Sequence, residues 1–189
     1  DSHNNLFQFC ISFFQNILLL KIKQEQQVIA KYSTMNSIVL TNDSNSVKIV
    51  LVAPENYHKA CQLTHFLQKN NNFISIQHLA FKTDNIFTTS QILRKNYIKI
   101  LPIPNNYYKS IHNELSKIHK LDITQLKKYN ILLDGNKKGY IMQIFIECVL
   151  IEASYFLEII QRYNFSLFAT KNVETLFIAK EQQLLTQTD

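Results

Sequence analysis

The chain has 189 residues, enough for a single domain, 1–189, with a sizeable core. Hydrophobic residues make up 46% and charged residues 18%, a globular composition that argues against intrinsic disorder. The formal net charge is +6, but the basic residues are scattered and form no run, which disfavours a nucleic-acid-binding surface.

Three cysteines, Cys10, Cys61 and Cys148, form no C-x-x-C pair and lie in apolar surroundings. This pattern is typical of reduced core thiols and predicts a cytoplasmic protein. The apolar stretch 13–22 is interrupted by Gln15, Asn16 and Lys21. It is therefore predicted to be neither a membrane span nor a signal peptide.

In the first third of the chain, apolar residues at helical spacing predict a helix over 6–17. Short β-like runs separated by polar turns follow it, at 18–22, 28–32, 37–40 and 47–52. A second apolar stripe at helical spacing predicts a helix over 58–68.

The remainder begins with a predicted strand over 74–81, followed by a helix over 86–96 that Asp84 or Asn85 caps. The polar middle, 104–129, is predicted to be helical in pieces. A hairpin signal at 134–136 lies between the first two of three further strands, and a helix over 172–185 ends the chain. The three strands are 131–134, 140–145 and 155–161.

Two β-α-β-β-β modules produce this order of elements. Their pairing predicts an α+β fold, with a half-open curved sheet and a C-terminal helix.

Two polar side chains stand out on apolar strands. His78 shares a strand face with Ile76 and Ala80, where a histidine is more often a hydrogen-bonded core residue than a ligand. Glu158 shares a face with Phe156 and Ile160. A buried carboxylate needs a partner such as a cation, whereas an edge strand facing water would leave it solvated.

Four motifs resemble those of a known family and strengthen the case that His78 and Glu158 are functional residues. Residues 77–86 read QHLAFKTDNI, 101–108 read LPIPNNYY, 131–145 read ILLDGNKKGYIMQIF, and 156–162 read FLEIIQR. In this order and spacing they resemble motifs of the 4-hydroxyphenylpyruvate dioxygenases, from about Tyr32 to the C-terminus. We identify no competing family with the same series.

The resemblance implies a vicinal-oxygen-chelate fold with a facial triad of two histidines and one carboxylate that holds Fe(II). Its motif positions fall on His78 and Glu158, and the first histidine, expected on the opening strand, is assigned to His3. If His78 and Glu158 share one metal, the His78 Nε2 and a Glu158 oxygen should lie within about 3 Å of each other. The resemblance also implies that the N-terminal half typical of the family is absent and that the opening strand is truncated or altered.

The resemblance further assigns the side chains that would contact substrate. They are Ser37, Gln62, Gln143, Phe145 and Asn172. Of these, Gln143 and Phe145 share one face of a strand, so an amide and an aromatic ring point into the same pocket.

Two departures from the family pattern bear on activity. Val52 stands where the family has a pocket asparagine. Near the C-terminus, three glycines are lost and Val173 replaces a ring-stacking phenylalanine. These changes leave a non-catalytic remnant of the fold as one alternative. Val173 leaves 4-hydroxymandelate synthase, which shares the scaffold and the substrate, as another.

The implied activity converts 4-hydroxyphenylpyruvate and O2 to homogentisate and CO2, a step of tyrosine and phenylalanine catabolism. The expected partners are a small aromatic α-keto acid and O2, without nucleic acid or membrane, and the family generally self-associates.

Overall fold

A computed structural model describes residues 2–56, 58, 61–104, 107–108, 115–147 and 155–186. The chain divides into two compact units. Unit 1 comprises Asp1–His65, Ser166–Phe168 and Leu176–Asp189, and unit 2 comprises Phe66–Phe165 and Ala169–Thr175. Each contains one open sheet with helices, which confirms the predicted α+β class.

Unit 1 begins with a helix and continues with a three-stranded antiparallel sheet of order β1-β2-β3. The elements are α1 (Ser2–Asn16), β1 (Lys21–Ile29), β2 (Thr34–Thr41), β3 (Lys48–Pro54) and the start of α2 (Gln62–Lys69).

The predicted strands 18–22 and 28–32 overlap only the two ends of the single strand β1, and 18–20 and 30–32 lie outside it. The intervening residues are polar and mostly exposed, so their sequence carries little hydrophobic signal. They are nevertheless extended because β1 pairs with β2 along its length, with one irregularity between Ile22 and Gln24.

Unit 2 contains a complete β-α-β-β-β module. Its elements are β4 (His78–Lys82), α3 (Ile86–Lys95), α4 (Leu115–Ile118), α5 (Ile123–Lys128), β5 (Leu132–Asn136), β6 (Gly139–Glu147) and β7 (Phe156–Tyr163). The sheet order is β4-β7-β6-β5; β4 is parallel to β7 and the other pairs are antiparallel. Chain-distant β4 therefore lies beside β7, the last strand of the module.

The β5–β6 hairpin is confirmed, with its turn slightly later than the sequence signal. Asn136 pairs with Gly139, so Lys137 and Lys138 form the turn. The Asn136 side-chain oxygen accepts hydrogen bonds from the backbone N–H of Lys138 and Gly139, at 2.8 and 3.2 Å. Gly135 lies within the strand at φ +156°, where an added Cβ would lie 2.4 Å from the Gly139 carbonyl oxygen.

Helix α3 begins after Asn85, one of the two predicted caps. The Asn85 side-chain oxygen accepts a hydrogen bond from the Thr88 N–H at 3.0 Å, which satisfies a donor at the helix start. Asp84, the other candidate, has a side chain 97% exposed beside Lys82. Fully buried apolar residues of unit 2 include Ile86 of α3, Leu126 of α5, and Leu132, Ile141 and Ile144 of the sheet.

The last helix, α6 (Thr170–Thr186), confirms the predicted C-terminal helix. Within unit 1, Glu181 on this helix is 2% exposed. Its carboxylate accepts hydrogen bonds from the Ser33 hydroxyl at 2.6 Å and from the Tyr32 N–H at 3.1 Å. Across the described part of the chain, none of the helices combines the length and apolar character of a membrane span.

Candidate metal-binding site

One face of the unit 2 sheet gathers the chemically distinctive residues of that unit. Phe145 lies opposite Glu158 across β6 and β7, and His78 lies opposite Phe156 across β4 and β7. Because side chains alternate along a strand, the register places these four residues and Gln143 on the same face. Strand pairing thus brings together positions 78, 143 and 158, which are far apart in sequence.

The imidazole of His78 packs against aromatic rings. It stacks on Phe156 with ring centroids 4.6 Å apart, and Phe156 makes an edge-to-face contact with Phe145 at 5.6 Å. Burial lowers the pKa of His78, so the ring is neutral near pH 7 and can act as a metal ligand. Its Nε2 faces Glu158, while Nδ1 is buried with no hydrogen-bond partner among the described residues.

Glu158 is a buried carboxylate on an interior strand. It is 4% exposed, and β7 has β4 on one side and β6 on the other. The alternative reading, a solvated edge strand, is therefore wrong. Burial raises the pKa of Glu158 to about 7, against the opposing effects of the Gln143 hydrogen bond and the charge of Arg162. A bound cation would favour the ionised form by offsetting this desolvation.

The two oxygens of Glu158 have different surroundings. Oε1 accepts a hydrogen bond from the Gln143 amide at 2.5 Å, and Oε2 lies 3.7 Å from His78 Nε2. The second separation is wider than the predicted 3 Å. It lies within the range open to two donors that are each about 2.1 Å from one ion.

Behind the carboxylate lies a buried chain of hydrogen bonds. Asn172 donates its side-chain NH2 to the Gln143 Oε1 at 2.6 Å, and the Tyr107 hydroxyl donates to the Asn172 Oδ1 at 2.6 Å. The Tyr107 hydroxyl accepts from the Leu133 N–H at 2.7 Å. Gln143, Asn172 and Tyr107 are each at most 5% exposed.

Asp134 holds the start of α6 in place, which positions Asn172. One carboxylate oxygen accepts from the Lys171 N–H at 2.8 Å and the other from the Gly135 N–H at 2.7 Å. A carboxylate at a helix N-terminus satisfies a free backbone donor and interacts favourably with the helix dipole.

Three of the sequence-predicted residues lie in unit 1. Ser37 is 2% exposed and lines a cavity of about 340 Å³ whose wall includes Glu25 and Asn36. Gln62 is half-buried at the first position of α2. His3 lies in helix α1 instead of the expected strand, and its side chain is outside the described part.

The donor set of unit 2 fits part of the expected metal site. His78 and Glu158 supply one imidazole nitrogen and one carboxylate oxygen, both ligand types of non-haem Fe(II). No cluster of three or more His, Cys, Asp or Glu side chains suited to a metal ion occurs within the described ranges. The pair has the donor types of two positions of the predicted triad, and the assignments of His78, Glu158 and His3 as metal ligands all stay predictions.

Tyr107 is the site residue that sequence reasoning missed. It belongs to the matched LPIPNNYY motif, but nothing in its local pattern indicates a role. Its position behind Asn172 and Leu133 follows from tertiary structure alone.

Comparison with known proteins confirms the resemblance that the motifs indicated. The chain is 35% identical over 156 residues to "Probable 4-hydroxyphenylpyruvate dioxygenase 2" of Aspergillus fumigatus, covering 81% of this chain and 38% of that protein. It is 35% identical over 173 residues to 4-hydroxyphenylpyruvate dioxygenase of Sus scrofa, covering 87% and 44%. The chain therefore spans less than half the length of these curated relatives. No protein-family model matches it.

Among solved structures, a triple mutant of 4-hydroxymandelate synthase from Streptomyces coelicolor shares the fold. The TM-score is 0.82 at 23% identity, covering 94% of this chain and 50% of that one. A fusion protein of a xylose isomerase-like TIM barrel and 4-hydroxyphenylpyruvate dioxygenase matches with a TM-score of 0.65 at 21% identity, covering 89% and 26%.

Proposed function

We propose that this relative of the 4-hydroxyphenylpyruvate dioxygenases is an Fe(II)-dependent dioxygenase that converts 4-hydroxyphenylpyruvate and O2 to homogentisate and CO2. The observation that carries the proposal is the pairing of His78 Nε2 with Glu158 Oε2 at 3.7 Å on a sheet face that also presents Phe145 and Gln143. The curated relatives of that name cover 81% and 87% of the chain.

Fe(II), when bound, supplies the oxidation chemistry that no amino-acid side chain provides. The protein contributes ligands, orientation and exclusion of water. His78 presents a neutral imidazole because burial lowers its pKa. Glu158 presents one oxygen, with the other already held by Gln143.

Phe145 and Gln143 are proposed to orient the aromatic keto acid. The Phe145 ring is held edge-to-face against Phe156, which fixes an aromatic surface next to His78. One hydrogen of the Gln143 NH2 points to Glu158, and the second is available for a substrate oxygen. On the basis of the resemblance, we also propose three further substrate contacts, Ser37, Gln62 and Asn172.

A second candidate is the hydroxymandelate reaction, in which the benzylic carbon is hydroxylated. It is favoured by Val173 at a position where the resemblance expects a phenylalanine, and by the fold shared with the 4-hydroxymandelate synthase variant. A smaller side chain there would change how the substrate ring is held.

The test is reconstitution of the full chain with Fe(II) and ascorbate without oxygen, followed by 4-hydroxyphenylpyruvate and O2, with products separated by chromatography. Homogentisate supports the proposal, and hydroxymandelate supports the second candidate. Iron binding without either product would overturn both in favour of a non-catalytic remnant of the fold. His78→Ala is the control that removes a proposed ligand, and His3→Ala tests whether the third ligand is His3.

A further inference from the structure

The buried chain of hydrogen bonds behind Glu158 has one direction of donation, which starts at a backbone N–H. The Leu133 N–H can only donate, and its acceptor is the Tyr107 hydroxyl at 2.7 Å. A phenol has one hydrogen. The Tyr107 hydroxyl lies 2.6 Å from the Asn172 Oδ1 and 3.1 Å from the Leu133 carbonyl oxygen, and the shorter contact identifies Asn172 as its acceptor.

The phenol keeps that hydrogen because burial raises the pKa of Tyr107 well above its ordinary value. Tyr107 therefore directs the carbonyl end of Asn172 toward itself. The NH2 end of Asn172 then points to the Gln143 Oε1 at 2.6 Å.

The same hydrogen-bond direction follows from the Glu158 end of this row of hydrogen bonds. The Gln143 NH2 donates to Glu158 Oε1 at 2.5 Å, which leaves the Gln143 Oε1 to accept a hydrogen bond from another donor. Each amide is constrained from both sides, and neither can flip without breaking two buried hydrogen bonds.

We propose that Tyr107 is a positioning residue, whose hydroxyl sets the direction of the chain Tyr107–Asn172–Gln143 so that Glu158 Oε1 is held and Oε2 is left to face His78. The metal-related part rests on the proposed function. The orientation of the two amides does not, because it is a property of the metal-free protein.

Tyr107→Phe removes the hydroxyl and leaves the ring. The neighbouring Tyr108→Phe is a matched control, since the Tyr108 hydroxyl is buried with no hydrogen-bond partner among the described residues. The probes are Co(II) alone, titrated by its absorption spectrum, and hydrogen exchange of the Gln143 side-chain NH2 measured by NMR in metal-free protein.

For Tyr107→Phe we expect Co(II) affinity to fall about 10- to 100-fold, as is typical when an outer-shell partner is lost. We also expect the Gln143 NH2 to exchange about tenfold faster or more, because the amide is released from its fixed orientation. Tyr108→Phe should change neither quantity by more than about twofold, since no hydrogen bond is lost.

Asn172→Asp is the second variant, in case the phenylalanine variant does not fold. It keeps an acceptor for Tyr107 but removes the donor to Gln143, so the same two losses are expected. Unchanged Gln143 exchange and Co(II) affinity in a folded variant of either kind would overturn the proposal, even if thermal stability fell.

Failure of the proposed function gives a different result. If the wild-type chain binds Co(II) but makes no product, the proposed dioxygenase activity is refuted. The Co(II) affinities and the Gln143 exchange rates of the variants still test the role of Tyr107. A wild-type chain that binds no ion refutes the metal site, while the exchange measurement still decides the orientation of the amides.

Discussion

Each unit buries a glutamate, and the two glutamates differ in how their oxygens are used. Glu181 of unit 1 is 2% exposed, and both its oxygens accept hydrogen bonds, from the Tyr32 N–H and the Ser33 hydroxyl. Glu158 of unit 2 is 4% exposed; among the described residues, Gln143 donates to Oε1, whereas Oε2 has no hydrogen-bond donor and faces an imidazole 3.7 Å away. Both oxygens of the first carboxylate accept hydrogen bonds and connect a helix to a turn, whereas the second carboxylate has one oxygen without a donor among the described residues.

The sheets differ in a related way. Unit 2 has the complete β-α-β-β-β order, and its first strand, β4, brings His78 beside β7. Unit 1 shows α1 followed by three strands, with no strand before α1 among the described residues. The strand that completes the unit 2 module is therefore also the one that supplies its imidazole.

The comparison predicts first that removing each of the two carboxylates has a different effect on metal affinity. Glu158→Ala should lower Co(II) affinity by more than about 100-fold, since loss of a ligand exceeds the usual effect of losing an outer-shell partner. Titration by absorption spectroscopy measures the change. Glu181→Ala should bind Co(II) like the wild-type chain at a temperature where it is folded, and equal losses in both variants would contradict the distinction.

The second prediction concerns the stability of metal-free protein as pH changes. Because the pKa of Glu158 is raised to about 7, its favourable contribution is complete below the unfolded value of about 4.3 and is lost as pH rises to about 7. Glu158→Gln has no such titration, so at pH 8 it should be more stable than wild type by about 3 kcal/mol, with the difference vanishing near pH 4.

Urea denaturation in the presence of a chelator, at pH values from 4 to 8, checks this. His78 has the opposite dependence, because its pKa is lowered and its contribution is lost as pH falls. A difference that is constant across this pH range would show that Glu158 is not desolvated.

The third prediction tests the structural role of the unit 1 carboxylate. Glu181→Ala leaves the buried Ser33 hydroxyl and the partly buried Tyr32 N–H without this acceptor and should lower the free energy of unfolding by about 2 kcal/mol. Glu174→Ala is the control on the same helix, because Glu174 is exposed, and urea denaturation measures both. Equal stabilities for the two variants would argue against the helix-to-turn link.

The smallest expected effect is at the start of α3 in unit 2. Asn85→Ala removes the side-chain acceptor for the Thr88 N–H and should destabilise the protein by about 1 kcal/mol. Asp84→Ala should change stability by less than about 0.5 kcal/mol, because its side chain is exposed and its ion pair with Lys82 is a surface one. Thermal unfolding of both variants decides which residue is the cap.

The fold was predictable where local signals are strong. The helices at both ends, the capped helix at 86 and the β5–β6 hairpin all follow from hydrophobic period, capping residues or turn residues. The polar strand β1 was predicted in two pieces because its centre is extended through pairing with β2 and not through its own pattern. His78 begins β4, which is shorter than the predicted strand 74–81.

The site was predictable only where residue type and motif coincide. His78 and Glu158 are polar residues on apolar strands, so their local sequence already sets them apart. Tyr107 and Asp134 carry no comparable signal, since a tyrosine and an aspartate near turns have many ordinary roles. Their contacts with α6 depend on packing between segments about 40 to 65 residues apart.

By itself, the sequence determined the α+β class, the positions of most helices and strands, the relationship to the dioxygenases and the identity of the His78 and Glu158 pair. These are properties of local period and motif spacing, which folding preserves. Only the tertiary structure decided that β4 lies beside β7, that one oxygen of Glu158 is held by Gln143 and that the other faces His78. Strand order and hydrogen-bond direction depend on which distant segments pack together, and that information is not contained in any one stretch of the chain.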